Sequence, residues 1–159
     1  MHSDLAGASE AVIRWDVANP FVLAQAPQPE DIDGLNHVNN AVYVRWCEQT
    51  AWSHCAQLGL VPDDYRRLDR GMAIRRAEYD YQLPVLLGDE LALATWLSSS
   101  DGKMGIVRNF QLIRVRDRQT VMRARWELVC IELSTGRPRR MPEQFSGMYR
   151  AALAGAVAG

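Results

Sequence analysis

Asp31-Ile32-Asp33-Gly34-Leu35-Asn36-His37-Val38-Asn39-Asn40-Ala41-Val42-Tyr43 is the stretch on which the reading of this chain turns. Two carboxylates, an imidazole, three carboxamides and a phenol crowd into thirteen residues, with a glycine in the middle. Polar density of this kind just before an apolar-periodic segment marks a loop feeding a helix N-terminus. Such a terminus presents unpaired backbone N–H groups and a partial positive charge. It can hold an anion, or an oxygen that becomes one during a reaction. The same residue types also serve as plain turn formers and caps, and Asn39 or Asn40 suits the N-cap. His37 taken alone fits a structural histidine as well as a catalyst.

Downstream, Val44, Cys47, Ala51, Cys55 and Leu58 step by three and four, one apolar stripe on a helix from Asn40 to about Leu58. Gly59 ends it in the C′ position, and Pro62 lies beyond. Glu48 falls at the edge of the stripe and is expected to be partly buried, where a carboxylate needs a partner or a chemical role. Arg45, Gln49 and Ser53 take the opposite face. Trp46 and Trp52 lie off the stripe and call for neighbours on more than one side, as when a sheet wraps a helix. After Gly71 the texture changes to strands: Met72 to Tyr81, Glu90 to Ser98, Gly105 to Arg116 and Thr120 to Leu133. In the last, Met122, Ala124, Trp126, Leu128 and Cys130 alternate with Arg123, Arg125 and Glu127. Short connectors imply antiparallel neighbours. Asp63 to Asp69 reads as a surface loop or short helix, and Glu143 onward as a short helix with a frayed Ala/Gly end.

Upstream, Val12 to Trp15 and Phe21 to Ala24 read as short strands split at Asn19-Pro20, and residues 1–11 as an extended or disordered tail. Pro27 and Pro29 keep the connector extended. One helix must then cover a sheet of five or more strands, and a curved antiparallel sheet wrapped around that helix satisfies both. The class is α+β, one domain over 1–159 with a core of about 21–149. A net charge of −1 gives no electrostatic case for nucleic acid or an anionic membrane. No apolar run reaches membrane-spanning length, and Met1 to Glu10 lacks the marks of a secretory signal. Cys47, Cys55 and Cys130 are odd in number and sit in apolar patterns, which reads as free thiols in a reducing, cytoplasmic setting. No cysteine–histidine spacing suggests a metal site.

Asp31-x-Asp33-x-x-x-His37-Val38-Asn39-Asn40-x-x-Tyr43 resembles the signature of hotdog-fold acyl thioesterases, which include 4-hydroxybenzoyl-CoA-type, acyl-CoA and plant acyl-ACP enzymes. Tyr81-x-x-Pro84-x-x-x-Gly88-Asp89 resembles the turn after their second strand, and the likeness runs from about Phe21 to Tyr149. The resemblance implies a hotdog fold, with dimers whose sheets join into one and often pair into tetramers. It also implies active sites at the dimer interface, an acyl-CoA or acyl-ACP substrate, and no metal or cofactor beyond the coenzyme A moiety. The catalytic carboxylate of 4-hydroxybenzoyl-CoA-type members lands on Asp33. The plant Asp-x-Asn-x-His pattern matches at Asp33 and His37, but Leu35 stands at the asparagine position and Asn36 comes one place late.

Asp33 is therefore the expected nucleophile or general base, with backbone N–H groups near Asn39 and Asn40 polarising the thioester carbonyl. His37 has three open roles: orienting Asp33, binding that carbonyl, or structure. Tyr43 is expected to line or pack the site. Glu48 matches an acidic position on the family helix and is expected to orient groups across the interface. Arg137, Arg139 and Arg140 form a basic loop suited to the coenzyme A phosphates, or simply a solvated one. The competing functions are acyl-ACP thioesterase, hotdog dehydratase and a non-catalytic acyl-CoA-binding module. Asp-x-Asp before the helix argues against the last two.

Overall fold

The computed structural model describes residues 12–155. The expected tail over 1–11 and the end of the chain past 155 lie outside them. The helix that the loop feeds, α1, runs Asn40–Gln57. Gly59 sits at φ 102, and Leu60 N–H and Gly59 N–H close back on the Cys55 and Ala56 carbonyls at 2.9 and 3.0 Å. This double closure terminates a helix whose last carbonyls would otherwise lack donors, and it suits a glycine because of the positive φ. α2 (Pro62–Leu68) follows with proline in its first turn.

The strands are β1 (Phe21–Gln25), β2 (Arg70–Tyr81), β3 (Leu91–Ser100), β4 (Gly105–Arg114) and β5 (Gln119–Glu132), and α3 (Glu143–Gly155) closes the described chain. They form one antiparallel sheet in the order β1-β3-β4-β5-β2. Period-two alternation decides its faces. Met122, Ala124, Trp126, Leu128 and Cys130 are all buried, while Arg123, Arg125 and Glu127 between them keep partial exposure. Leu91, Leu93, Leu97, Phe110 and Leu112 join that face, and α1 completes the core with Tyr43, Trp46, Cys47 and Cys55. Each fully buried large apolar side chain contributes about 1.5–3 kcal/mol.

Three expectations are corrected. Val12–Trp15 is not a strand. Asp16 N–H donates to Gln111 Oε1 at 2.9 Å, and Gln111 Nε2 donates to the Arg14 carbonyl. The segment thus bonds a side chain on the sheet face rather than a strand edge. The buried face of α1 is also wider than the stripe: Trp46, Thr50 and His54 are buried, while Val44 and Leu58 are only partly so. That shift leaves Glu48 exposed rather than half-buried. The expected C-terminal helix is α3, and it is docked because Phe145 and Tyr149 are buried against the core and Tyr65 meets Phe145 edge-on at 5.4 Å.

Among the described residues no strand pairs with the outer side of β1 or of β2. β1 is short, but β2 presents twelve residues along its free side, with a register shift between Ile74 and Arg76. Arg75, Arg76, Glu78 and Asp80 are exposed there, the charged dressing that discourages indiscriminate strand addition.

Candidate active site at the start of the central helix

The two aspartates of the opening stretch do different work. Asp31 is 2% exposed. One carboxylate oxygen accepts from Gln28 N–H at 2.8 Å, the other from Arg45 Nη2 at 2.7 Å, and its backbone carbonyl accepts from Asn39 N–H at 2.8 Å. The Gln28 N–H, and after it the Arg45 guanidinium, hold its carboxyl below the usual range. Asp31 therefore anchors the connector and the first turns of α1 to the loop.

Asp33 is half-buried and points its chemistry elsewhere. Its Oδ1 accepts from Leu35 N–H at 2.8 Å and His37 N–H at 3.3 Å, so the carboxylate organises its own turn. Asp33 N–H donates to the His37 carbonyl at 2.9 Å, and Asn36 closes the turn at φ 61. Among the described residues no donor reaches Oδ2. Gly34, the glycine in the middle of the stretch, is not the residue that bends the loop. Its φ is not positive and nothing lies within 4 Å of where a Cβ would stand, so the left-handed residue of this loop is Asn36 instead.

The loop is clamped from below. Val38 N–H donates to the Val85 carbonyl at 2.9 Å, which joins it to the Pro84–Asp89 turn. Asp89 shapes that turn by accepting from Leu86 N–H and Arg116 Nε. Asn39 is the N-cap, its Oδ1 accepting from Ala41 N–H at 3.0 Å. Val42 N–H returns to the Asn39 carbonyl and Asn39 N–H is held by Asp31. Asn40 N–H alone, of these first amides, has no acceptor among the described residues. The Asn40 carbonyl accepts from the Tyr81 hydroxyl at 3.4 Å, which ties the end of β2 to the helix start.

The remaining predicted residues divide. Tyr43 is buried, edge-on to Trp46 at 5.6 Å and Tyr81 at 5.1 Å, and burial pushes its phenol up. It packs beneath the loop. The His37 side chain is exposed, and it is the backbone N–H of this residue, not its imidazole, that reaches Asp33. Glu48 is two turns further along α1, about 12 Å at 1.5 Å per residue, on the rim of a cavity. Arg137, Arg139 and Arg140 are exposed in the loop after β5. Arg139 pairs with Glu132 at 3.1 Å. Because Glu132 lies opposite Arg70 while Tyr81 meets Asn40, this loop is at the other end of β2 from Asp33. At ~3.3 Å per residue the length of β2 separates them by roughly 36 Å within one chain.

Two residues were missed by the sequence reading. Tyr81 was noted only as part of a turn motif. Arg108 was not singled out, although it lies between Ile106 and Phe110 in the apolar row of β4, and a charge in such a row is the signal that could have found it. Arg108 lines a cavity of about 460 Å³ between α1, the sheet and α3, together with Glu48, Trp52, Ile74, Trp126 and Tyr149.

An α+β hotdog domain carrying a carboxylate-bearing loop against its helix start defines the class. The sequence pattern of the Thioesterase-like superfamily matches residues 27–148, and the chain belongs to that family. Solved structures agree on the fold. A Staphylococcus aureus protein in complex with CoA is 19% identical, with 89% of each chain covered and a TM-score of 0.80. A 1,4-dihydroxy-2-naphthoyl-CoA thioesterase from Synechocystis is 17% identical, covering 83% of this chain and 96% of its own, with a TM-score of 0.74. A Thermus thermophilus thioesterase complexed with coenzyme A and Zn is 25% identical over 84% of this chain and 93% of its own, with a TM-score of 0.70. No helix among the described residues is long and apolar enough to cross a membrane.

Proposed function

We propose that this chain hydrolyses acyl-CoA thioesters to a free carboxylic acid and coenzyme A. The observation that carries the reading is the pairing, at one helix start, of a carboxylate oxygen (Asp33 Oδ2) and a backbone N–H (Asn40) that have no hydrogen-bond partner among the described residues. Asp33 Oδ2 either takes a proton from water, whose oxygen attacks the thioester carbon, or attacks that carbon itself. The C=O becomes an oxyanion that accepts from Asn40 N–H at the positive end of α1. Its collapse breaks the C–S bond; on the general-base route the thiolate takes up the proton that Asp33 removed from water, and on the nucleophilic route it takes one from solvent, after which water cleaves the acyl–Asp33 anhydride, releasing the acid and restoring the carboxylate. Leu35 and His37 amides hold the other oxygen, so the free one keeps its aim.

The working unit in this proposal is a dimer joined through β2. Two copies related by a two-fold axis pair their edge strands antiparallel. The start of one β2 then lies against the end of the other. That brings the Arg137–Arg140 loop of a second copy toward the Asp33 loop of the first, although the two are far apart in one chain. Coenzyme A as carrier, rather than an acyl carrier protein, is favoured by the arginines and by its presence in two of the similar structures. The three cysteines are free and buried, which suits the reducing cytoplasm.

Asp33→Asn tests the chemistry. The amide oxygen can keep both loop hydrogen bonds, so the fold survives and melting stays close to wild type. Loss of the charge lowers turnover of an acyl-CoA by at least ~10²-fold. A folded Asp33→Asn with near-wild-type turnover removes Asp33 from the mechanism.

A further inference from the structure

The core row of β4 contains a charge. Ile106, Arg108, Phe110 and Leu112 all face α1 and all are buried, and Arg108 is only 2% exposed. Its Nη1 meets His54 Nδ1 at 2.9 Å and the Thr95 hydroxyl at 3.1 Å, and its Nη2 points at Cys55 Sγ at 3.5 Å. None of these partners is a carboxylate, and His54 is neutral near neutral pH. His54 is held so by burial and by Arg108 itself, which push its pKa down to about 4. No carboxylate among the described residues forms an ion pair with Arg108. A buried charge without a counter-charge is costly by several kcal/mol, and a guanidinium cannot shed its proton to escape that cost.

The charge is not sealed in a packed core. Arg108 forms part of the wall of the 460 Å³ cavity, whose other walls include Met72, Ile74, Ile106, Trp126 and Leu128. This is a common size for a small-molecule pocket, and an apolar lining with few polar groups is its usual chemistry. The charges within it are ordered along its length. Glu48 stands on the rim, and Cys55, which touches Arg108, is seven residues further along α1. The rim is thus about 10 Å from the level of the guanidinium at 1.5 Å per residue. Glu48 disfavours an anion at its own end of the lining, and Arg108 favours one at the other. The rest of the lining, with Met72, Ile106, Trp126 and Leu128, is mostly apolar and suits an apolar chain.

We infer that this cavity binds an apolar chain ending in a carboxylate, with Arg108 as the receptor of that carboxylate. Two sources share this chemistry: the far end of an ω-carboxyacyl-CoA, and the head of a free long-chain acid. The first source rests on the thioesterase reading above; the second does not. The planar guanidinium, already oriented by His54 and Thr95, offers its remaining N–H groups to the carboxylate, and the ligand supplies the counter-charge that no described residue provides.

The experiment compares carboxylates with neutral molecules of the same length, in wild type and in Arg108→Met. Binding is read by calorimetry with dodecanoate and dodecan-1-ol, which requires no turnover. Turnover is read as kcat/KM for dodecanedioyl-CoA against lauroyl-CoA and for hexadecanedioyl-CoA against palmitoyl-CoA. The inference expects a preference of at least ~10-fold for the carboxylate in one arm or the other, on the scale of one charge-assisted hydrogen-bond pair. Arg108→Met abolishes that preference while still binding the alcohol. Preference in the binding arm alone assigns the site to a free acid, and preference in the turnover arm assigns it to the ω-carboxylate of a substrate. Equal affinity of wild type for dodecanoate and dodecan-1-ol, with no dioyl-CoA preference, overturns the inference. That comparison needs no variant, so it decides the matter even if Arg108→Met fails to fold. Loss of hydrolysis alone, with the carboxylate preference intact in the binding arm, would instead count against the thioesterase reading.

Discussion

Asp31→Ala should weaken the fold without touching the reacting groups. The carboxylate it removes satisfies Gln28 N–H at 2.8 Å and pairs with Arg45 at 2.7 Å. Releasing an amide from a charged acceptor at a partly buried site costs about 1–2 kcal/mol. The Arg45 side chain is 52% exposed, so its pair adds only about 0.5–1 kcal/mol. The sum is ~1.5–3 kcal/mol, which for a chain of this length lowers Tm by roughly 3–12 °C. Asp31→Asn keeps an acceptor for Gln28 but turns a second donor toward Arg45, and falls between wild type and alanine. The pH dependence has a definite sign. Asp31 has a folded pKa below its ordinary value of 3.8, so its charge stabilises the fold above that value. The contribution is lost as pH falls through the lower, folded pKa. Urea unfolding of wild type and Asp31→Ala should therefore differ by a constant amount from pH 5 upward and converge below pH 3.8. A variant within about 0.5 kcal/mol of wild type at pH 7, the usual scatter of surface changes, would refute the anchoring role. So would a gap unchanged in acid. Turnover measured under conditions where both are folded should stay within a few-fold of wild type, in contrast to Asp33→Asn.

His54 gives a second pH signature: its pKa falls from 6.5 to about 4 on folding, so the unfolded chain binds the proton first as pH drops. Wild type should lose on the order of 3 kcal/mol between pH 6.5 and 4, a slope that His54→Gln removes; parallel curves for the two would be the contrary result. Sedimentation at micromolar concentration should show a dimer, and introducing a proline on the free side of β2 should release monomers that are folded but inactive. An active monomer would sink the shared-site geometry. Reversing Arg137 and Arg140 to glutamate should raise KM for acyl-CoA by ~10-fold or more while leaving a thioester without the nucleotide unaffected, whereas equal effects on both would assign the loop to solvent.

Local chemistry made much of this chain legible before any coordinates. The three-and-four spacing from Val44 to Leu58 and the Gly59 stop define α1 by themselves, because helix periodicity and a left-handed cap are properties of neighbouring residues. The same holds for β5, where side chains alternate along a single strand. Asp33 beside a helix start was also visible, since a capped loop of polar residues is a short-range event. What tertiary structure alone decided are the quantities that depend on who packs against whom. Which aspartate is buried was settled by Arg45, fourteen residues downstream, and by Gln28 upstream. Glu48 is exposed because Trp46 and His54 turn the buried face of α1 away from it. In sequence Arg108 shows only as a charge between Ile106 and Phe110 in an otherwise apolar row. Its isolation from every described carboxylate arises only when β3, β4 and α1 enclose it, because a charge has no counter-charge or solvent of its own until the fold assigns them.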